Sequence, residues 1–265
     1  MSSVFHYMSN LVRVRDLQAP LGPPLQADQL VAIAFEDEEL MKGDRISLVM
    51  RDGEAVGWIG LDMLGEGNSL VSEQMDPIQP GSVLSGDTPA LEAVRLFTET
   101  ARHFFFVLDH NRITGTLHYG DLFGLPFRLC LLALTFHLEG TALELAVRSP
   151  GESWQALSEG RKQKATDIYT SRYGRPPKTE EQEPWRGLLG CTSFTDKGTI
   201  LRKRGLLRGI SGEQLESTFA RAERVRNSCA HTGSDDAGSA IVVERTMLRD
   251  FIDDMEALIK ELETK

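Results

Sequence analysis

One short segment toward the carboxyl-terminal end combines side chains suited to proton transfer and to anion binding. Residues 226–231 read Arg-Asn-Ser-Cys-Ala-His, so a guanidinium and an imidazole stand five residues apart. Imidazole exchanges protons near neutral pH, and guanidinium stabilises negative charge that develops on phosphoryl oxygens. This chemistry demands no metal ion. We therefore expect Arg226 and His231 to be catalytic residues, with Asn227 orienting the loop or a phosphate by hydrogen bonding.

The spacing of Arg226 and His231 is not that of a single helical face. At about 100° per residue, five residues turn the two side chains roughly 140° apart on an ideal helix. Either the helix unwinds before Gly233, or a second copy of the chain completes the site across a twofold axis. A structural alternative remains open: Arg226 forms an ion pair with a carboxylate such as Glu139 or Glu223, and His231 caps a helix end, where the helix dipole favours a cation.

The apolar residues that surround this motif have the period of helices from Pro126 onward. Residues 125–147 are apolar almost all round and have a proline in the first turn, which predicts a long buried helix. A buried helix needs neighbours. Four further segments have helical patterns: residues 152–173, 185–204, 212–230 and 241–263, of which the second is interrupted by Gly190 and Gly198. Together they predict an all-α bundle over residues 125–265.

The amino-terminal half has the pattern of strands. Residues 46–59 read as two strands joined at Asp52-Gly53, a pair that supplies the positive φ angles of a tight hairpin turn. Residues 104–117 repeat this pattern, and a helix is predicted before them over residues 88–97. We expect an α+β protein: an α/β tandem repeat over residues 1–124, followed by the helical bundle.

The second of these repeats resembles a CBS domain. Four segments carry the resemblance by their order and spacing: residues 71–78 (VSEQMDPI), 86–93 (GDTPALEA), 105–109 (FFVLD) and 115–122 (GTLHYGDL). The first repeat resembles a degenerate partner domain. It begins with residues 14–20 and ends with residues 49–53 and 56–64. CBS domains come in pairs, and the resemblance implies a cleft that in many members holds the ribose and phosphates of an adenine nucleotide.

The resemblance also implies which residues contact that nucleotide. In CBS domains an Asp three residues after a Thr or Ser typically holds the ribose, because a carboxylate accepts hydrogen bonds from both hydroxyls. Asp121 has this place, His118 stands at the hydroxyl position, and Thr116 lies just before it, so these three are the expected nucleotide-binding residues. Two alternatives remain: Asp121 caps the following helix, or the pair is a scaffold for dimerisation.

The helical part is similar to HEPN domains. The similarity rests on the Arg-Asn-x-x-Ala-His string and on the order of a long apolar first helix, middle helices, the motif, a short loop and a closing amphipathic helix over residues 242–262. Many HEPN domains are metal-independent ribonucleases, so the resemblance implies cleavage of RNA by its own 2′-hydroxyl in a cleft between two copies of the chain. Arg221, Arg224 and Arg204 are candidate contacts to the RNA backbone.

Charge is distributed unevenly along the 265 residues. The net charge is -10, but residues 1–150 hold 10 basic and 20 acidic residues, whereas residues 151–265 hold 19 of each. Residues 158–208 alone hold 12 basic and 6 acidic residues. This segment predicts either a local basic surface or an ordinary solvated helix face.

Composition also restricts the cell compartment and the cofactors. The three cysteines, Cys130, Cys191 and Cys229, are far apart and match no metal spacing, so we expect reduced thiols and no metal. Residues 125–147 are the best candidate for a membrane span, but four polar or charged residues interrupt them. The amino terminus lacks the features of a secretory signal. These features predict a cytoplasmic protein with no membrane partner.

Two functions of different classes follow from these expectations. The first is a metal-independent endoribonuclease of the HEPN type, homodimeric, regulated or dimerised by the CBS-like pair, with a role as a toxin or an antiviral defence component. It requires no cofactor, although an adenine nucleotide is the expected ligand of the pair. The alternative is a non-catalytic, nucleotide-sensing adaptor or protein-interaction scaffold that acts on a regulatory protein partner.

Overall fold

The computed structural model describes residues 4–35, 46–60, 68–177, 182–230 and 245–265. The chain divides into two compact units. The α/β unit holds the described residues of Val12–Pro126, and the helical unit holds those up to Leu11 and from Phe127 onward. The division falls two residues beyond the predicted boundary. The first helix, α1 (Val4–Ser9), belongs to the helical unit, where its Phe5 is buried and Cys130 Sγ lies 3.5 Å from the carbonyl oxygen of Met8.

The α/β unit consists of strands and short helices in tandem. In chain order they are β1 (Ala19–Pro20), β2 (Leu25–Gln26), α2 (Val31–Phe35), β3 (Ile46–Arg51), β4 (Glu54–Gly60), α3 (Val71–Gln74), β5 (Val83–Ser85), α4 (Ala90–Thr100), β6 (Phe104–Asp109) and β7 (Arg112–His118). The two predicted hairpins, β3–β4 and β6–β7, are confirmed. Each turns on two residues of positive φ, Asp52 and Gly53 in the first and His110 and Asn111 in the second, as a two-residue hairpin turn requires.

The internal repeat is confirmed by the pairing of the strands. One sheet has the order β1-β7-β6-β5 and the other β2-β3-β4, and in each sheet a short strand runs parallel to the first strand of a hairpin. Both hairpins have an irregularity at the equivalent place, after Val49 and after Val107, where the partners are Gly57 and Gly115.

The two repeats exchange their opening segments. Strand β1, which opens the first repeat, pairs with β7 of the second, and Asp76, which opens the second repeat, forms a bridge with Trp58 on β4. A shared apolar cluster includes Phe106 from one hairpin and Leu48 from the other, and Trp58 packs edge-to-face on Phe104 at 5.0 Å between ring centroids. The repeats therefore form one core.

The helical unit continues with seven helices among the residues that the structure describes after Gly124. They are α5 (Leu125–Val147), α6 (Pro150–Gln155), α7 (Glu159–Tyr173), α8 (Gln182–Gly190), α9 (Phe194–Lys203), α10 (Gly212–Ala230) and α11 (Arg245–Glu263). The single helix predicted over residues 152–173 is divided into α6 and α7. The segment 185–204, which the sequence analysis expected to be interrupted by glycine, is divided into α8, which ends at Gly190, and α9. At the second division, Ser193 Oγ accepts a hydrogen bond from the Asp196 backbone and Asp196 Oδ2 accepts one from the Ser193 backbone, which starts a new helix.

The burial of helix α5 differs from the prediction. Its bounds are as predicted, yet Leu125, Leu129 and Phe136 are each more than half exposed, so only one face is covered. Among the described residues it is the one helix long and apolar enough to cross a membrane, and 44% of its most apolar window is buried in the protein. Its polar groups contact other helices: Arg128 Nη2 donates to the carbonyl oxygen of Ser228 at 3.3 Å.

Candidate functional site

Arg226, on the last turns of α10, is held by two carboxylates and by its neighbour. Its Nη1 donates to Glu139 Oε2 at 3.3 Å, and its Nη2 lies 3.9 Å from Glu223 Oε1. Its Nε and Nη2 donate to Asn227 Oδ1 at 3.3 and 3.2 Å. The Arg226 side chain is 25% exposed. These contacts include both ion pairs that the sequence offered as the structural alternative for Arg226.

A buried lysine, which the sequence analysis missed, completes this network. Lys197 on α9 is 1% exposed, and its Nζ donates to Glu139 Oε1 at 3.0 Å and to the carbonyl oxygen of Thr192 at 2.9 Å. Glu139 therefore bridges two cations. A signal for Lys197 was present in the sequence, because the residue falls three after Phe194 and four before Leu201, which are both buried.

A cavity of about 280 Å³ opens beside this network. Its charged lining residues are Arg161, Lys164, Arg172 and Arg226 together with Glu139, Asp196 and Glu223. Phe194 lies beneath the guanidinium of Arg226, with the carbon at its centre 5.6 Å from the ring centroid. The cavity is thus lined both by Arg226, a predicted site residue, and by basic residues of α7. Helix α7 is part of residues 158–208, for which the sequence predicted either a local basic surface or a solvated helix face.

The other predicted residues of the helical unit lie elsewhere. Arg221 forms an ion pair with Asp254, and Arg204 Nη2 lies 2.7 Å from Glu152 Oε2, so both are held by acids of their own unit. Arg224 is exposed. These three arginines do not line the cavity beside Arg226. His231, together with residues 241–244 before α11, lies outside the described residues.

The three thiols are free and buried. Burial raises the pKa of the Cys130 thiol to about 11. Burial also raises the pKa of Cys191, which lines the cavity, although Arg172 and Lys197 nearby act to lower it. Because a raised pKa keeps the thiol protonated at neutral pH, Cys191 is a poor nucleophile here.

In the α/β unit, the predicted nucleotide-binding residues contact neighbouring residues of the same unit. Asp121 Oδ2 accepts a hydrogen bond from the His118 backbone at 2.7 Å, at the start of the short 3-10 helix Tyr119–Phe123 in which Asp121 itself lies. This contact is not the cap of the following helix, α5, that the sequence left as an alternative. The His118 ring packs on Phe104 at 5.5 Å between centroids, and Thr116 is fully buried on β7. The residues of the first repeat at 61–64 lie outside the described ranges.

A second cavity, of about 290 Å³, lies where the two repeats exchange segments. It is lined by Trp58, Asp76, Pro77, Gln79, Ser82, Arg102, His103 and Phe104. Phe104, which lines this cavity, also packs on the His118 ring. The predicted residues Asp121, His118 and Thr116 do not themselves line the cavity. Within the described ranges, no group of three or more His, Cys, Asp or Glu side chains is arranged to hold a metal ion.

No protein-family model and no curated protein matches the chain. Solved structures similar to its amino-terminal part contain CBS domains. They include CBSX2 in complex with AMP (22% identity, TM-score 0.34, covering 42% of this chain and 92% of that one) and the CBS domains of a transcriptional regulator from Streptococcus pneumoniae (13%, 0.35, 42% and 97%). A third is the cytosolic domain of the Mg²⁺ channel MgtE in complex with ATP (19%, 0.36, 42% and 47%).

Proposed function

We propose that the helical unit is a metal-independent endoribonuclease of the HEPN type, located in the cytoplasm and dimerised or regulated by a CBS-like α/β unit. The observation that carries the proposal is the position of Arg226, which lines a cavity together with three further cations. Its described hydrogen bonds use three of the five N–H donors of a guanidinium, so two remain for a phosphate oxygen. A role in toxicity or in antiviral defence fits cleavage of RNA.

The proposed reaction uses the RNA's own 2′-hydroxyl. The 2′-oxygen attacks the adjacent phosphorus while its proton passes to the imidazole of His231, and Arg226 stabilises the charge on the non-bridging oxygens. The bond from phosphorus to the 5′-oxygen breaks, the leaving oxygen takes up the proton from the imidazolium of His231, which restores the neutral imidazole, and the products are a 2′,3′-cyclic phosphate and a 5′-hydroxyl. In the proposed homodimer, both copies of residues 226–231 face one cleft.

Cleavage of labelled single-stranded RNA in the presence of EDTA tests this function. We expect His231→Ala and Arg226→Lys each to lower the cleavage rate by about 100-fold or more, because each removes one half of the chemistry. Arg226→Lys retains the positive charge beside Glu139, which guards against unfolding. Arg175→Lys, in the exposed turn after α7, is the matched control. Equal cleavage by the wild type and both site variants would refute the nuclease.

A second candidate function is the non-catalytic adaptor, and the ion pairs of Arg226 favour it. A guanidinium between Glu139 and Glu223 already has a structural role. Calorimetry with AMP, ATP and S-adenosylmethionine on the wild type and on Asp121→Ala separates a sensor from a scaffold. Binding that Asp121→Ala weakens supports the sensor, which would act on a regulatory protein partner. If none of the three compounds binds to the wild type, the scaffold is the form of this second candidate that remains.

A further inference from the structure

The cavity beside Arg226 has an excess of positive charge once its internal ion pairs are counted. Glu139 is matched by Lys197 and Arg226, and Glu223 also faces Arg226. Asp196 Oδ1 lies 3.5 Å from Arg161 Nε. Each acid of the cavity therefore has a cation of its own unit, and three cations balance three acids.

Two cations remain, Lys164 and Arg172. Both line the cavity from α7, and both are exposed. Among the residues that the structure describes, neither has a carboxylate within ion-pair distance. Two cations of a cavity wall without an internal counter-ion attract an anion from solution.

The spacing of these two residues suits a polymer with repeated charges. Lys164, Ile168 and Arg172 follow one another at intervals of four along α7, so they share one face, and the Cα atoms of the two cationic residues are about 12 Å apart along the helix axis. A stacked nucleic-acid strand advances 3.4 Å per nucleotide, so this distance corresponds to roughly three to four nucleotides.

The lining of the cavity also favours contacts to phosphates over contacts to bases. The aromatic residue in the lining, Phe194, is fully buried and already covered by Arg226, so it offers no free face for a base to stack on. Contacts here would be made to phosphates rather than to bases.

We propose that Lys164 and Arg172 bind phosphates of a single strand of RNA that crosses the mouth of this cavity and passes Arg226. The identity of the strand as RNA rests on the proposed function, whereas the phosphate contacts do not. Because the contacts read only phosphates, single-stranded DNA binds as well, and it cannot be cleaved, since it lacks the 2′-hydroxyl. Binding is independent of sequence and weakens with salt.

Fluorescence anisotropy with a labelled oligothymidine of about 12 nucleotides tests the proposal on the full chain without any dependence on cleavage. Lys164→Gln/Arg172→Gln should weaken binding by about tenfold or more at low salt. It should also lower the slope of log K against log salt concentration by about 1.4, or 0.7 for each lost phosphate contact. Lys164→Arg/Arg172→Lys, which retains both charges, should bind like the wild type.

The control is Lys162→Gln/Lys260→Gln, which removes the same charge from two residues that do not line the cavity. Equal losses in both double variants, or no binding of the oligomer by the wild type, would overturn the proposal. A further arm adds AMP: if AMP displaces the oligomer with equal potency per phosphate, the site takes free nucleotides and the strand proposal fails. Because RNA cleavage is measured separately, failure of this binding test and failure of the proposed nuclease are distinguishable.

Discussion

At the scale of single residues, the buried cation Lys197 holds the carboxylate that contacts Arg226. Lys197 is 1% exposed and has lost its hydration, so its charge is stable only because Glu139 and the carbonyl oxygen of Thr192 replace the water. Glu139 in turn positions Arg226 at the cavity. The candidate site therefore depends on a residue that itself is shielded from solvent.

We expect Lys197→Met to lower the free energy of unfolding of the helical unit by about 3 kcal/mol, because one partner of a buried ion pair is removed. The double variant Lys197→Met/Glu139→Gln should be more stable than the sum of the two single effects predicts, since each single variant already loses the interaction between the two side chains. Urea unfolding of the wild type, both single variants and the double variant measures the coupling. Strict additivity would show that the two side chains do not interact.

A second prediction at this scale concerns alkaline pH. Burial raises the pKa of Cys130 from 9.0 to about 11, so the folded protein binds this proton more tightly than the unfolded chain does. The stability that this group contributes is complete below pH 9 and is lost as the pH rises toward 11, by up to about 3 kcal/mol. Cys130→Ala should therefore show a smaller fall in unfolding free energy between these pH values. Parallel curves for the two proteins would contradict this assignment.

At the scale of elements, the two hairpins of the α/β unit depend on their turns. Gly53 has a φ of 85°, and a Cβ at this position would meet no atom within 4 Å. A side chain at position 53 would therefore destabilise the fold only through the backbone conformation that it must adopt, because it would not clash with any neighbouring atom.

Gly53→Ala should destabilise the α/β unit by about 1–2 kcal/mol, the cost of a left-handed conformation for a residue with a Cβ. Gly120→Ala is the matched control, because a Cβ at Gly120 also meets no atom within 4 Å and its φ is not in the positive range. Thermal unfolding of the two variants compares them. A loss as large for Gly120→Ala would mean that the turn geometry is not the cause.

At the scale of the whole molecule, the chain divides into two compact units, and helix α1 belongs to the helical unit although it precedes the α/β unit in the sequence. Phe5 is 4% exposed within the helical unit, far along the sequence from the helices around it. The tryptophans report on the units separately, because Trp58 lies in the α/β unit and Trp154 and Trp185 lie in the helical unit.

Phe5→Ala should lower the stability of the helical unit by about 3 kcal/mol, as is usual for a buried phenylalanine. In a Trp58→Phe background, tryptophan fluorescence follows the helical unit, and its transition should move to lower urea. In a Trp154→Phe/Trp185→Phe background, fluorescence follows the α/β unit, and its transition should stay in place. Equal shifts in the two backgrounds would show that Phe5 does not belong to one unit alone.

Local patterns in the sequence were sufficient for most elements. The Asp52-Gly53 pair and the alternation around it predicted a hairpin, and Pro126 with the apolar run after it predicted α5 with its observed bounds. Such patterns work because turn geometry and helical capping involve atoms only a few residues apart. Gly190 likewise indicated the interruption at which α8 ends, whereas the capping pair of Ser193 and Asp196, which starts α9, was present in the sequence but was not recognised.

By itself, the sequence determined the α+β class, the tandem hairpins and the long apolar helix, and it offered Glu139 or Glu223 as an alternative partner for Arg226. Only the tertiary structure decided that Lys197 joins Glu139 across 58 residues, that the repeats exchange their opening segments, and that Lys164 and Arg172 face a cavity. Such long-range pairs depend on how whole elements pack, because the free energy of burying a charge or an apolar face is set by neighbours that sequence proximity does not specify.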